Sequence, residues 1–119
     1  MLVDDHDVAR NSVRSLLSDH ALSICGEAQD GKQALDRVKT LKPDLVLLDI
    51  HMPVMNGIET AVEIRCIAPG TKILFLTVQE CTPEAEAAVR LLGAQGFVNK
   101  AADGTDLIPA LKRLLESEL

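Results

Sequence analysis

Short runs of apolar residues alternate along this chain with longer stretches in which apolar residues recur every three or four positions. The short runs have the length of buried strands, and the longer stretches have the period of amphipathic helices. The predicted strands cover residues 1–3, 22–26, 45–48, 73–76 and 96–98. Because strands that alternate with helices form parallel sheets, the pattern predicts an α/β domain of five β-α units.

Four of the intervening helices show clear helical periodicity, and a fifth, over residues 32–41, is weaker. The periodic apolar positions are Ala9, Val13, Leu16 and Leu17; Ile58, Ala61 and Val62; Ala85, Ala88, Val89 and Leu92; and Leu107, Leu111, Leu114 and Leu115. Thr82 and Pro83 suit the start of a helix that Gly93 ends. Turn signals at Asp30-Gly31 and Asn56-Gly57 precede two other helices.

Composition narrows the class of protein. A chain of 119 residues with 47% hydrophobic content fits one domain with one core. The formal charge of -6 argues against a nucleic-acid surface, which needs clustered Lys and Arg. Three widely spaced cysteines indicate neither a disulfide framework nor a zinc site. No apolar run reaches the roughly 20 residues of a membrane helix, so we expect a cytoplasmic protein.

Polar residues follow four of the five predicted strands. Asp4 and Asp5 follow the first, Asp49 the third and Thr77 the fourth, and Lys100 stands two residues after the fifth. Because the carboxyl ends of parallel strands meet at one edge of the sheet, we expect these side chains to converge there.

Three neighbouring carboxylates repel one another unless a cation lies among them, and oxygen ligands suit Mg²⁺. Asp49 could then act as a nucleophile that forms an aspartyl phosphate, with Lys100 and Thr77 stabilising the transferred group. Each residue alone has an ordinary alternative: a helix cap for Asp4 or Asp5, a solvated surface lysine for Lys100. Their joint occurrence at strand ends favours the functional interpretation.

The three histidines share no ligand spacing, which argues against a histidine metal site. His6 and His20 are interpreted as structural or solvent-exposed residues. Whether His51, beside Asp49, tunes the stability of a phosphoryl group stays open.

Four motifs carry a resemblance to a known family. They are "LVDDH", "LVLLDIHMPVMNG", "ILFLT" and "GFVNK". Together they resemble the receiver domain of two-component response regulators, and the resemblance covers residues 1–119. It implies a flavodoxin-like, doubly wound, five-stranded parallel sheet in the order 2-1-3-4-5 with five helices, two on one face and three on the other.

The resemblance also implies a chemical role for the acidic residues. Asp49 would accept a phosphoryl group from the phosphohistidine of a sensor histidine kinase. Asp5, Asp49 and the backbone carbonyl of His51 would bind Mg²⁺, with Asp4 acting through a coordinated water.

Further roles follow from the same resemblance. Thr77 and Phe97 look like the switch pair, and Lys100 like the phosphate-binding lysine. The segment "GEAQDGKQAL" and His6 resemble the subfamily whose receivers precede a LuxR-type helix-turn-helix domain. That implies transcriptional output through DNA binding by a domain outside this chain, a homodimer formed on phosphorylation, and no membrane partner.

Three other functions share part of this pattern. A stand-alone phosphorelay receiver would share every motif but lack an output domain. A small aspartyl-phosphate phosphohydrolase normally needs a second carboxylate two residues after the nucleophile, where this chain has His51. A phosphorylation-independent pseudo-receiver would be expected to lack an acid or the lysine. We therefore expect a signalling switch that catalyses only its own phosphorylation and dephosphorylation and is not an enzyme in the usual sense.

Overall fold

The computed structural model describes residues 1–19, 24–50, 56–77, 83–94, 96–99 and 107–116. In these residues strands and helices alternate strictly. Their bounds are β1 Leu2–Val3, α1 Asp7–Asp19, β2 Glu27–Ala28, α2 Gly31–Leu41, β3 Leu45–Asp49, α3 Gly57–Ile67, β4 Lys72–Thr77, α4 Pro83–Leu91, β5 Gly96–Asn99 and α5 Leu107–Glu116.

The strands form one parallel sheet in the order β2-β1-β3-β4-β5. The predicted fold class and strand order are therefore confirmed. From β1 the chain passes to the edge strand β2, and then returns across β1 to build β3, β4 and β5. The winding direction reverses between β1 and β3, so the crevice of the sheet lies at their carboxyl ends.

Alternation of side chains along the strands builds a core on each face of the sheet. One face buries Leu2, Leu45, Leu47, Leu74 and Leu76 with Val13 and Leu17 of α1 and Leu107, Ile108 and Leu111 of α5. The other buries Val3, Val46, Leu48, Ile73 and Phe75 with residues of α2, α3 and α4, among them Val38, Ile64 and Val89. Two helices thus cover one face and three the other, as predicted. Each fully buried Leu, Ile or Phe contributes about 1.5–3 kcal/mol to folding.

The turn signals of the sequence act as helix caps. The side chains of Asp30 and Asn56 accept hydrogen bonds from backbone N–H groups three residues later and so begin α2 and α3. Gly93 adopts a positive φ of 71° just after α4, as its proposed stop role requires. Thr82, the predicted cap of α4, lies outside the described residues.

The second strand is the main difference from the sequence prediction. The apolar segment 22–26 was expected to form it, but pairing begins at Glu27. The reason is the register of β1, whose Leu2 pairs with Glu27 and whose Val3 pairs with Ala28. Because β1 is only two residues long, it fixes β2 at the same length. Residues 22 and 23 lie outside the described part.

The described helices include none that combines the length and the apolar character needed to cross a bilayer. Cys25 and Cys66 are exposed thiols without a disulfide, as predicted. Cys81 lies outside the described residues.

Candidate functional site

Three carboxylates meet at the carboxyl edge of the sheet. Asp4 and Asp5 directly follow β1, and Asp49 is the last residue of the neighbouring strand β3. One ligand atom from each of these residues and one ring nitrogen of His6 all lie within 4.8 Å of one another. The side chains of Asp4 and Asp49 are only 1% and 2% exposed. The structure therefore brings together the three acids that the sequence analysis singled out.

The Asp5 carboxylate carries the clearest mark of a cation site. Its Oδ1 atom is buried, yet it accepts no hydrogen bond from any residue that the structure describes. The His6 imidazole is close, with Nδ1 3.0 Å from this oxygen, but only a protonated ring would form an ion pair there. Burying a carboxylate oxygen without a donor costs free energy. A metal ion bound by this oxygen would remove that cost, so the residues present fit a divalent cation.

Hydrogen bonds from His6 and from Arg10 of α1 hold the turn that carries Asp4 and Asp5. The backbone N–H of His6 donates to Asp4 Oδ1 at 2.9 Å. Arg10 donates from Nη1 to the backbone oxygen of Asp4 at 2.6 Å, and its guanidinium also pairs with Asp7. The bond to Asp4 is partly buried, whereas Asp7 is exposed. The first helix thus fixes the direction in which the acidic pair points.

Close backbone packing holds the end of β3 that carries Asp49. The Ile50 N–H donates to Leu76 of β4 at 3.1 Å, and the Gly57 N–H donates to the Ile50 oxygen at 2.8 Å. A Cβ atom on Gly57 would overlap the backbone oxygen of Asp49 and would lie 2.7 Å from Cα of Ile50. Only glycine therefore lets α3 begin this close to Asp49.

The structure describes the other predicted site residues only in part. Thr77 is the last residue of β4, and its backbone pairs with Asn99; the backbone of Phe97 pairs with Phe75. The side chains of Thr77 and Phe97 lie outside what the structure describes, as do His51 and Lys100. Thr77 therefore lies at the same sheet edge as Asp49, while the roles predicted for these four residues stay predictions.

Three residues near the site were missed or given other roles by sequence reasoning. His6 was interpreted as structural or solvent-exposed; its side chain is 68% exposed, and its Nδ1 also lies 3.0 Å from Asp5 Oδ1. Arg10 carried no signal, because its contact with Asp4 joins a helix side chain to a backbone oxygen. The sequence analysis identified Gly57 only as part of a turn signal. The structure shows that glycine is needed there because the backbone of residue 57 lies close to that of Asp49.

Comparison with known proteins agrees with the motifs. The family model for the response regulator receiver domain matches residues 1–112. Protein CcdB of Bacillus subtilis is 36% identical over 115 residues, which cover 97% of this chain and 95% of CcdB. The nitrate/nitrite response regulator NarL of Escherichia coli K12 is 33% identical over 120 positions, which cover all of this chain and 55% of NarL. The chain therefore spans about half the length of NarL.

Two solved structures extend the comparison to three dimensions. A LuxR-family two-component response regulator from Aurantimonas sp. SI85-9A1 superposes with a TM-score of 0.90 at 30% identity, covering 98% of this chain and 84% of the other. The chemotaxis protein CheY4 of Vibrio cholerae gives 0.86 at 31% identity, covering 95% and 94%.

Proposed function

The chain belongs to the response regulator receiver family, and we propose that residues 1–119 form one phospho-acceptor domain whose switch is the phosphorylation of Asp49. The observation that carries this proposal is the acidic cluster. Buried Asp49 lies at the reversal point of the sheet beside two further carboxylates, one of which has a buried oxygen without a hydrogen bond among the described residues.

The cluster supports Mg²⁺ as the cofactor. Asp5, Asp49 and the backbone carbonyl of His51 would hold the ion, and Asp4 would act through a coordinated water. When bound, the ion offsets the charge of the carboxylates and of the phosphoryl oxygens. A set of carboxylate and carbonyl oxygens is the kind of site in which such an ion is found.

Phosphoryl transfer would use Asp49 as the nucleophile. A carboxylate oxygen of Asp49 attacks phosphorus, and the bond from phosphorus to the nitrogen of the donor phosphohistidine breaks as the new bond forms. Lys100 and Thr77 would stabilise charge on the transferred oxygens. Burial of Asp49 keeps this oxygen away from bulk water, so its environment is set by the neighbouring residues.

Signalling would pass from the phosphoryl group to β4 and β5. Thr77 and Phe97 are proposed as the switch pair, and their two strands are neighbours in the sheet. A phosphoryl oxygen would give the Thr77 hydroxyl a charged acceptor, worth about 1.5–3 kcal/mol. Phe97 would move with it and change the surface that a partner contacts.

The partners follow from the relatives. A sensor histidine kinase would supply the phosphoryl group, and a LuxR-type output domain outside this chain would bind DNA, with a homodimer formed on phosphorylation. NarL, which is about twice as long as this chain, and the LuxR-family structure support this assignment. The domain would catalyse only its own phosphorylation and dephosphorylation.

A second function, a stand-alone receiver in a phosphorelay, has its own support. The chain covers 95% of CcdB and 94% of the CheY4 chain, so receivers of this length occur without a further domain in the proteins compared. The two functions share the chemistry at Asp49 and differ only in what reads the phosphorylated state.

The proposal is tested by incubating the protein with acetyl phosphate and Mg²⁺ and measuring the intact mass. One phosphoryl group should be added to the wild type and none to Asp49→Asn. Asp44→Asn is a matched control, because Asp44 is an exposed aspartate just before the opposite end of the same strand. Equal labelling of the wild type and Asp49→Asn would contradict the assignment.

A further inference from the structure

The imidazole of His6 lies beside the acidic cluster although much of the side chain is exposed to solvent. Its Nδ1 atom is 3.0 Å from Asp5 Oδ1 and 3.4 Å from Asp4 Oδ1, although the side chain as a whole is 68% exposed. We propose that this nitrogen is a fourth ligand of the metal site, and that it makes the site bind borderline transition-metal ions such as Ni²⁺ more tightly than Mg²⁺. This inference rests on the metal site of the proposed function.

The distances between these ligand atoms are compatible with a single ion bound among them. In an octahedral site with bonds of about 2.1 Å, adjacent ligand atoms are about 3.0 Å apart and opposite ones about 4.2 Å. The separation of His6 Nδ1 from the Asp5 oxygen equals the adjacent distance, and its separation from the Asp4 oxygen is only slightly larger. The whole group, including Asp49, fits within 4.8 Å. Small side-chain rotations would therefore place the atoms of Asp5, Asp49 and His6 around one ion, with Asp4 near enough to act through a coordinated water.

The backbone already presents the ring to the site. The His6 N–H donates to Asp4 Oδ1 at 2.9 Å, and the His6 carbonyl accepts from the Arg10 N–H at 3.0 Å. These two bonds tie the residue to the acidic turn on one side and to α1 on the other. The backbone of His6 is thus held beside the acidic turn.

The type of donor decides which ion is preferred. Carboxylate and carbonyl oxygens suit Mg²⁺, whereas imidazole nitrogen suits Ni²⁺, Zn²⁺ and Cu²⁺. Adding one nitrogen to an oxygen site therefore strengthens the binding of the transition metals and leaves Mg²⁺ binding almost unchanged.

A different role for the same contact makes an opposite prediction. A protonated His6 could serve as the counter-cation of Asp5, in place of a metal. Any divalent ion would then have to displace that charge, so removing the ring would strengthen the binding of every metal alike.

The experiment compares Mg²⁺ and Ni²⁺ binding by calorimetry at one fixed pH. The proteins are the wild type, His6→Phe, which keeps a ring but no nitrogen, and Asp7→Asn. Asp7→Asn is the control, because Asp7 is an exposed charge next to His6 and lies outside the group formed by Asp4, Asp5, His6 and Asp49. Only Ni²⁺ that excess Mg²⁺ displaces is counted, because exposed Cys25 and Cys66 could bind Ni²⁺ elsewhere.

His6→Phe should weaken Ni²⁺ binding at least about tenfold and change Mg²⁺ binding by less than about twofold. Asp7→Asn should change both affinities by the same small factor. If His6→Phe does not fold, as judged by its melt in EDTA, His6→Asn replaces it, and the same loss of Ni²⁺ preference is expected. A second readout is the ¹⁵N shift of His6 Nδ1 on addition of Zn²⁺, which direct coordination should change.

Four results would overturn the proposal. Equal losses for Ni²⁺ and Mg²⁺ in His6→Phe would show a general structural effect. Tighter binding of both ions would assign His6 as a counter-cation. If wild type binds Mg²⁺ but His6 substitutions change nothing, only the role of His6 is wrong, whereas absence of any Mg²⁺ binding would overturn the metal site itself.

Discussion

The ends of β1 and β3 bring their carboxylates to the same place by different means. At the end of β1, side-chain and backbone hydrogen bonds from His6 and Arg10 hold the turn of Asp4 and Asp5. At the end of β3, direct contact between the backbones of Asp49 and Gly57 fixes the chain. A hydrogen bond can lengthen and weaken gradually when a residue is changed. An overlap of atoms instead forces the backbone to move. We therefore expect graded effects of substitution at β1 and an abrupt effect at β3.

Gly57→Ala should have the largest effect, because its new Cβ would overlap the Asp49 carbonyl oxygen. The start of α3 or the end of β3 must then move. We expect a loss of about 3 kcal/mol in the free energy of unfolding, at the upper end of the range for overpacking. Phosphorylation of Asp49 by acetyl phosphate should also slow by more than about tenfold. Urea unfolding and intact-mass time courses measure the two effects.

Gly70→Ala is the matched control for that substitution. A Cβ atom on Gly70 would meet nothing within 4 Å, and the residue is exposed. Its stability should stay within about 0.5 kcal/mol of the wild type, and phosphorylation should be unchanged. Similar behaviour of the two glycine variants would show that the contact with Asp49 does not constrain β3.

Asp5→Asn should separate folding from metal binding at the end of β1. Without metal, removing one of three clustered charges should raise the free energy of unfolding, by about 1 kcal/mol for charges 4 Å apart at the dielectric of water. With Mg²⁺ at 100 times its Kd, the wild type should gain about 2.7 kcal/mol and the variant far less. Thermal melts with EDTA and with Mg²⁺ test both parts. A variant that gains as much from Mg²⁺ as the wild type would exclude Asp5 as a ligand.

Arg10→Ala should loosen the same turn without removing a carboxylate. The lost hydrogen bond from a charged donor to the Asp4 oxygen is expected to cost about 1.5 kcal/mol. Arg14→Ala is the control, because Arg14 is half exposed and bonds Glu27, which Arg10 also approaches, rather than the acidic turn. Its loss should be smaller, since exposed ion pairs contribute little. Equal losses in urea unfolding would mean that Arg10 acts only as another surface charge.

The sequence predicted those features that depend on local pattern. Alternating apolar residues in β3 and β4 gave the two faces of the core, and the order of strands and helices gave the parallel sheet. The convergence of Asp4, Asp5 and Asp49 followed from topology alone, because adjacent parallel strands end at the same edge.

Features that depend on distant contacts were not predicted. The apolar segment before Glu27 looked like a strand, but the short β1 decides where β2 pairs. The role of Gly57 depends on a contact with Asp49, eight positions earlier in the chain. The position of His6 among the carboxylates depends on how the turn folds onto the start of α1. The pattern of residue types does not give these distances, even for His6, which is next to Asp5 in the chain.

The smallest predicted effect concerns the amino ends of β1 and β3. There the amino group of Met1 is buried, in contrast to the buried carboxylates at the carboxyl ends of the two strands. The Met1 amino group donates to the Leu45 oxygen of β3 at 2.8 Å. Burial lowers the pKa of this amine below its usual 8.0, and this effect outweighs Cys25 and Asp44, which raise it.

In a chain that begins at Met1, the unfolded state therefore binds more protons than the folded state in the pH range just below 8.0. The free energy of unfolding should rise as the pH increases through that window and level off above 8.0. Urea unfolding of the free and the Nα-acetylated protein isolates the amine, because acetylation removes its charge and leaves the three histidines in place. The rise should be smaller in the acetylated protein. Identical pH profiles would show that the amine is hydrated in the folded state. Only the carboxyl end of β1 would then carry buried charged groups.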